Sequence, residues 1–428
     1  MGPGREHCEG QAPMTARRDV TIIGAGIVGI ATAIYLQRDG HRVTVVDKGE
    51  PGRGTSFGNA GSLAPSSIIP MGMPGVLRNV PKWLTDPLGP LTLSWRQVPR
   101  LLPWLLHFRA ACTKEAVIRG ARALRSINAP SLESYTELLA AAGASDLLRH
   151  DGMLHVYRSE ASFAATAFAR ELRAQYIGEI EVLDAGRIRD LEPAASPEFR
   201  YGIFLRDNGH VRSPYRVVEV LARHFVDNGG SIVRAAVSGF RFGADGPAAL
   251  KTDQGEMPVD RVVIAAGTAS SALARAVGVR APVAHERGYH IEIPEPGITL
   301  RVPVTDGERR FVATPMEGGI RLAGTSEFSN ADAAPNWRRT DALARLGPQM
   351  LPQLKVEGYS RWMGTRPSMP DSLPVLGPAP LSDRVFLAYG HGHFGLMAAP
   401  ATGQVISDLI AGRTPRLDIE PMRPERFQ

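Results

Sequence analysis

Cysteine is almost absent from this chain: there are two in 428 residues, Cys8 and Cys112. Two thiols cannot build a disulfide framework, and a reducing compartment is the simpler setting. No group of Cys and His residues has metal-ligand spacing, so no resident metal is expected. Long apolar runs are missing too; none approaches the roughly twenty residues of a membrane-spanning helix. Residues 1–18 are too polar for a signal peptide. They are expected to form a disordered tail, in which Met14 serves as a start as well as Met1. Nor are there blocks of one charge. The net charge of +6 is spread over 49 Lys and Arg against 43 Asp and Glu, which offers nucleic acid no basic face. The expected location is cytoplasmic, with a peripheral contact at the inner face of the plasma membrane as the alternative. A hydrophobic content of 43% over this length suits two or three globular domains.

What the chain has in quantity is glycine, 45 residues, and the informative ones are clustered. Asp19 to Asp47 reads strand, Gly24-Ala25-Gly26-Ile27-Val28-Gly29, helix, Gly40, strand, acid. A dinucleotide needs each part. Gly24 permits a tight turn, Gly26 admits a pyrophosphate to the backbone, and Gly29 lets helix and strand pack closely. The helix N-terminus then faces the phosphates, and Asp47, with Lys48 beside it, lies where the adenosine ribose is expected. A second glycine segment, Gly52 to Gly61, follows at once. Its small residues would let a flat ring pass, with Thr55, Ser56, Asn59, Ala60 and Gly61 in contact. A nicotinamide cofactor has no general need of such a segment, which favours FAD.

Residues 65–107 are rich in Pro, Trp and Leu, and two readings stay open: a cap of short helices over the site, or an interfacial patch with Lys82, Arg96 and Arg100 flanking tryptophans. Positions 115–142 read as helix, as do about 161–176 and the stretch after Ser213-Pro214. Strands are expected at 152–157 and 201–205. Ser231 to Phe240 reads as one strand, with Val237 offering backbone to the adenine. The strand from Asp260 ends in Ala266 and Gly267, small residues suited to a pyrophosphate. From His285 to Glu327 the pattern turns antiparallel. Asp341 to Leu354 is helical with a break near Pro348. The last strand, Arg384 to Tyr389, leads into Gly390-His391-Gly392-His393-Phe394-Gly395-Leu396 and a helix whose early turn Pro400 should make irregular.

Together these residues resemble the FAD-dependent D-amino acid oxidase superfamily, most closely its bacterial D-amino acid dehydrogenase branch. The resemblance runs from Asp19 to about Pro415. It rests on Gly24 to Gly29, Thr55-Ser56-x-x-Asn59-Ala60-Gly61, Gly288-Tyr289, Arg366-Pro367-x-x-Pro370-Asp371 and Gly390-His391-Gly392. Many of the better-known dehydrogenases have Gly-Thr where this chain has Gly392-His393. The resemblance implies an α/β protein with a discontinuous Rossmann-type FAD-binding domain and an α+β substrate domain with a mixed, largely antiparallel sheet. On this basis 19–80, 211–284 and 360–428 are assigned to the FAD-binding domain, and 81–210 and 285–359 to the substrate-binding domain.

The implied chemistry is oxidative deamination of a D-amino acid, or of a secondary or cyclic one such as D-proline or D-hydroxyproline. A hydride passes from Cα to flavin N5 and an imino or 2-oxo acid results. In the family the arginine matched by Arg366 binds the substrate carboxylate, its rival here being a salt bridge to Asp371. Tyr289 is the expected second carboxylate ligand, a tyrosine filling the core being the competing reading. Of His391 and His393, one is a candidate to line the pocket or orient the amine, or both are spectators set by loop geometry; His290 and Arg310 are weaker pocket candidates. The helix after Gly395 would face the flavin with its N-terminus, bringing Gly392, His393, Phe394, Gly395 and Leu396 to the ring. The electron acceptor is open between O2 and a quinone-linked chain. A glycine- or sarcosine-type oxidase is the enzymatic alternative. A non-catalytic FAD-binding assembly partner is the other, against which an intact carboxylate clamp argues.

Overall fold

The computed structural model describes residues 17–427 apart from 179, 245 and 331. The tail expected over 1–18 therefore lies, as far as residue 16, outside the described residues, as does Cys8. The chain's β-branched runs form a six-stranded sheet in the spatial order Ser231–Arg234, Arg42–Asp47, Asp19–Ile23, Arg261–Ile264, Ser382–Tyr389 and Val375–Ala379. The first five are parallel and the last is antiparallel. Strands buried on both faces read as continuous Val and Ile runs: Ile22, Val45, Val263 and Leu387 are fully buried. Helices Ile27–Arg38 and Gly395–Ile410 pack against one another over one face of this sheet.

Pro400 does not break the Gly395–Ile410 helix, contrary to the irregular turn expected. A proline in a helix leaves the carbonyl four residues back without its partner. That carbonyl belongs to Leu396, and the fully buried Tyr135 hydroxyl donates to it at 2.8 Å. The helix from Arg338 likewise runs on through Pro348 to Met350. The single helix expected over 115–142 is two, Lys114–Asn128 and Ser131–Ala141, divided at Pro130. Ser231 to Phe240 is also two elements. Ser231–Arg234 ends the parallel sheet, while Val237–Gly243 turns off into a separate three-stranded sheet.

The second layer is a nine-stranded mixed sheet. Its main order is Ser360–Ser368, Ala284–Ile293, Gly319–Phe328, Phe311–Met316, Val304–Asp306, Met153–Tyr157, Tyr201–Leu205 and Glu181–Asp184, with Leu91–Leu93 paired onto Gly319–Phe328. One face, carrying Leu154, Val304, Ala313, Leu322 and Ile291, closes on helix Arg338–Met350 to make its own core. Two expected boundaries shift. Ser360–Ser368 is an edge strand of this sheet, so the 360–428 segment divides after it. Helices Lys114–Asn128 and Ser131–Ala141 pack into the core of the parallel sheet instead of the substrate layer, because their apolar faces meet Gly395–Ile410.

Candidate active site

The glycine loop has the shape its spacing calls for. Gly24 has φ +113°, and a side chain there would put its Cβ 2.4 Å from the Ala265 carbonyl oxygen on the neighbouring strand end. At Gly29 a Cβ would lie 1.9 Å from the Gly24 carbonyl oxygen. Ala266 and Gly267 follow Ala265 directly, at the C-terminal edge of the parallel sheet. The helix that begins at Ile27 has no side-chain cap and no acidic residue in its first turn. Its N-terminal dipole at Ala25 to Val28 is therefore not offset by a nearby acid of its own turn, an arrangement that accepts a pyrophosphate. Two N–H groups there are already taken: Ser56 Oγ accepts from Ile27 at 3.1 Å, and Asp47 accepts from Ala25. Asp47 holds the loop from the other side, accepting from Ala25 N at 2.7 Å and Gly49 N at 2.9 Å. Each oxygen keeps a second acceptor direction for a ribose hydroxyl. Lys48 is exposed next to it. Val237, half-buried, begins its strand two residues after Ala235, whose N–H bonds the Asp47 carbonyl at 2.8 Å. These groups fit a dinucleotide stretched across the sheet.

The second glycine segment is clamped between the two sheets. Thr55 Oγ1 donates to the Thr365 carbonyl at 2.7 Å, His290 Nδ1 donates to the Gly58 carbonyl at 3.1 Å, and Arg321 donates to the Asn59 carbonyl at 2.6 Å. The Trp362 ring, stacked on His290 with centroids 5.1 Å apart, lies where a Gly58 Cβ would be, 2.1 Å from its atoms. Asn59 Oδ1 accepts from Gly61 N at 2.8 Å, so that side chain shapes its own turn, with Ala60 between them, and keeps its NH2 to offer a ring. His290 is 2% exposed, and burial, then Arg321, drives its pKa down to about 3. It is a neutral tie between sheets, not the pocket residue expected.

Arg366 lies at the end of the edge strand opposite Glu286, a residue the sequence reading passed over. Its Nη1 donates to Glu286 Oε1 at 3.0 Å, and Asp371 pairs with Arg426 instead. Glu286 Oε1 also accepts from His393 Nε2 at 2.8 Å and from the Ser326 hydroxyl. Glu286 is 1% exposed, whereas Arg366 is 21% and His393 36% exposed at their side chains. Burial alone would raise the Glu286 carboxyl; His393, Arg366 and Ser326 hold it well below the usual carboxylate range. The guanidinium passes over Gly288, where a Cβ would meet Nη2 at 2.2 Å. Opposite Gly288 the neighbouring strand bulges at Thr325 and Ser326, and Thr325 has φ +60°. Two buried acceptors here, Glu286 Oε2 and Thr325 Oγ1, have no partner among the described residues. A bulge beside an ion pair with unfilled polar groups is where a ligand is expected.

Two expected site residues are elsewhere. Tyr289 is opposite Met363, three residues from Arg366, and a period of two puts them on opposite faces of the sheet. Its hydroxyl donates to Glu327, accepts from Asn336 N at 3.0 Å, and is buried; this corrects its assignment as a carboxylate ligand. His391, 5% exposed, turns inward to Thr402 Oγ1 at 2.9 Å, and burial lowers its pKa to about 3. Only His393 of the pair reaches the ion pair. The turn Gly392–Phe394 that carries it runs into helix Gly395–Ile410, whose first turn, Gly395 and Leu396 included, has no acidic residue. Glu286 could have been suspected from sequence only as an acid two residues before the Gly288-Tyr289 motif.

The glycine loop at the edge of the parallel sheet and the Arg366–Glu286–His393 cluster on the second sheet fit a flavin-dependent redox enzyme. Residues 19–409 match the family of FAD dependent oxidoreductases, and the chain belongs to it; its cofactor is FAD. It is 37% identical over 423 residues to a D-amino-acid oxidase of Bradyrhizobium diazoefficiens, covering 97% of this chain and 100% of that one. It is 32% identical to a D-amino acid dehydrogenase of Paramagnetospirillum magneticum, over 95% and 98% of the two chains. In fold it is similar to the L-proline dehydrogenase from P. horikoshii, with TM-score 0.75 and 18% identity over 96% and 98%. Among the described residues no helix is long and apolar enough to cross a membrane.

Proposed function

We propose that the chain oxidises D-amino acids, primary or secondary, to imino acids that water converts to 2-oxo acids. The observation that carries this reading is the Arg366–Glu286–His393 constellation on the sheet face turned toward the glycine loops. The identity to proteins named for D-amino acids supports the substrate class. Bound FAD supplies the two-electron acceptor that takes the Cα hydride. Every other requirement falls to the chain. Arg366 keeps donors beyond its bond to Glu286, enough to fork onto an α-carboxylate. Glu286 accepts from His393 Nε2, which leaves Nδ1 as the acceptor of a neutral imidazole. Nδ1 then takes the proton that must leave the substrate ammonium before its lone pair can assist loss of the hydride. Close placement of Cα is the main contribution to rate.

For the electron acceptor the reading takes a quinone-linked chain, with O2 as the rival. Its support is an accessible face on residues 95–109, where Trp95, Leu102 and Leu106 are 73%, 52% and 59% exposed beside exposed Arg96 and Arg100. That combination suits an anionic lipid surface. Trp104 of the same helix turns inward, its Nε1 donating to the Ser368 carbonyl at 3.0 Å, so the segment also caps the clamp strand. Anaerobic mixing of the yellow holoenzyme with D-, L- and N-methyl amino acids tests the substrate class. Bleaching by D-amino acids is expected; bleaching by L-enantiomers alone would reverse the stereochemistry, and none at all would remove the activity. Sedimentation with anionic liposomes tests the membrane contact.

A further inference from the structure

The face of the nine-stranded sheet that carries Arg366 and Glu286 continues across four more strands. Strand register places Val312, Thr305 and His155 on it. Just before Val312's strand stands Arg310, level with Thr325 in the bulge. Ser360–Ser368 and Phe311–Met316 are separated by three strand spacings, about 14 Å. Two extended arginine side chains with a small diacid between them span that gap.

Arg310 is held at 4.3 Å from the Trp83 ring centroid and has no carboxylate partner among the described residues. Arg173, on helix Ala167–Ile177, is half-buried, its Nε is enclosed, and it too has no partner among them. The Tyr157 side chain lies within electrostatic reach of both. Other enclosed arginines of the chain are matched: Arg158 by Asp306, Arg321 by Glu292, and Arg339 by two carbonyls and the Thr92 hydroxyl. Arg310 is accessible, yet desolvation is the largest influence on it and on Arg173, and lowers both. Arg310 is thus open to solvent on one side and stacked on Trp83 on the other, at the edge of the sheet face that carries Arg366. Arg310 and Arg173, both within reach of Tyr157 and neither matched by a carboxylate among the described residues, forgo solvation, an arrangement suited to a site that receives an anion.

We propose that Arg310 and Arg173 form a second anion subsite, which receives the side-chain carboxylate of a substrate whose α-carboxylate is held by Arg366. The preferred substrates are then acidic D-amino acids. The proposal rests on the amino acid reading above and names the substrate class of the same site. His155, which burial and then Arg173 drive to about pKa 3, remains neutral near Arg173 and adds no competing charge.

Two measurements on the FAD holoenzyme decide it. Calorimetric titration compares glutarate with butyrate, and anaerobic reduction compares D-glutamate with D-glutamine, in wild type, Arg310→Met and Arg173→Met. One charge-assisted contact corresponds to about tenfold or more in affinity. Glutarate should therefore bind at least about tenfold tighter than butyrate, and kcat/KM should favour D-glutamate by a similar factor. Each substitution should pull both ratios toward one through KM, while Arg310→Lys should keep them. Equal binding of glutarate and butyrate overturns the subsite, and so do ratios that survive both Met substitutions. If no D-amino acid reduces the flavin, the amino acid reading fails, while the glutarate contrast still decides the subsite. If a Met variant does not fold, the wild-type contrast and Arg310→Lys decide.

Discussion

Glu286→Gln separates what the buried charge does from what its shape does. The amide oxygen can stand where Oε1 stands, so the bonds from Arg366, His393 and Ser326 can persist as neutral-acceptor bonds. Bonds to a charged group are worth about 1.5–3 kcal/mol against about 0.5–1.5 for neutral ones. The bonds from Arg366 and His393 to the carboxylate thus lose about 2 kcal/mol together. Arg366 and His393 are 21% and 36% exposed, so water recovers part of it; about 1–2 kcal/mol of stability should go at pH 7. The folded carboxyl is held below its ordinary value of 4.5 against the opposing effect of burial. Its stabilisation is therefore complete above pH 4.5 and is lost as pH falls below that value. The gap between wild type and variant should narrow over the same window. Arg366 and His393, no longer oriented, should lower kcat/KM for flavin reduction by roughly ten- to a hundredfold, about 1.4–2.8 kcal/mol. Urea unfolding at pH 7 and pH 4, with stopped-flow anaerobic reduction, reads both quantities. Equal midpoints and equal reduction rates would show Glu286 to be a bystander and refute the reasoning.

Gly24→Ala should yield colourless protein that does not bind FAD, since the added methyl meets the Ala265 carbonyl and the φ of +113° is strained for any side chain; flavin absorbance after purification checks this. Tyr289→Phe should cost about 1–3 kcal/mol, because the hydroxyl's bond to the mostly buried Glu327 is lost. It should leave the substrate KM within about twofold, since the side chain is on the opposite face from Arg366; a large KM change would restore it to the site. His391 has a folded pKa near 3 against 6.5 for the unfolded residue, so its proton uptake on unfolding erodes stability as pH falls below 6.5. His391→Gln should flatten that slope, read from urea midpoints at pH 7.5 and 5.

Much of the cofactor half was legible from residue order. Gly24, Gly26 and Gly29 state a steric requirement that acts within one turn of chain, and the helix they open places its own dipole. The Gly52–Gly61 segment was readable as a cofactor loop. Its clamping by His290, Trp362 and Arg321 was not, because those residues come from strands more than two hundred positions away. The break at Pro130 was overridden by composition, and the survival of the helix through Pro400 depended on a hydroxyl from Tyr135.

The substrate half divides differently. Sequence by itself determined that this protein carries a dinucleotide-type glycine loop at Gly24 to Gly29 and an arginine motif at 366, because both are local patterns contained in a few adjacent residues. Only the tertiary structure decided that Arg366 meets Glu286 and His393 and turns away from Tyr289. That choice lies in the register between strands 284–293 and 360–368, where a slip of one residue exchanges every side chain between the clamp face and the core.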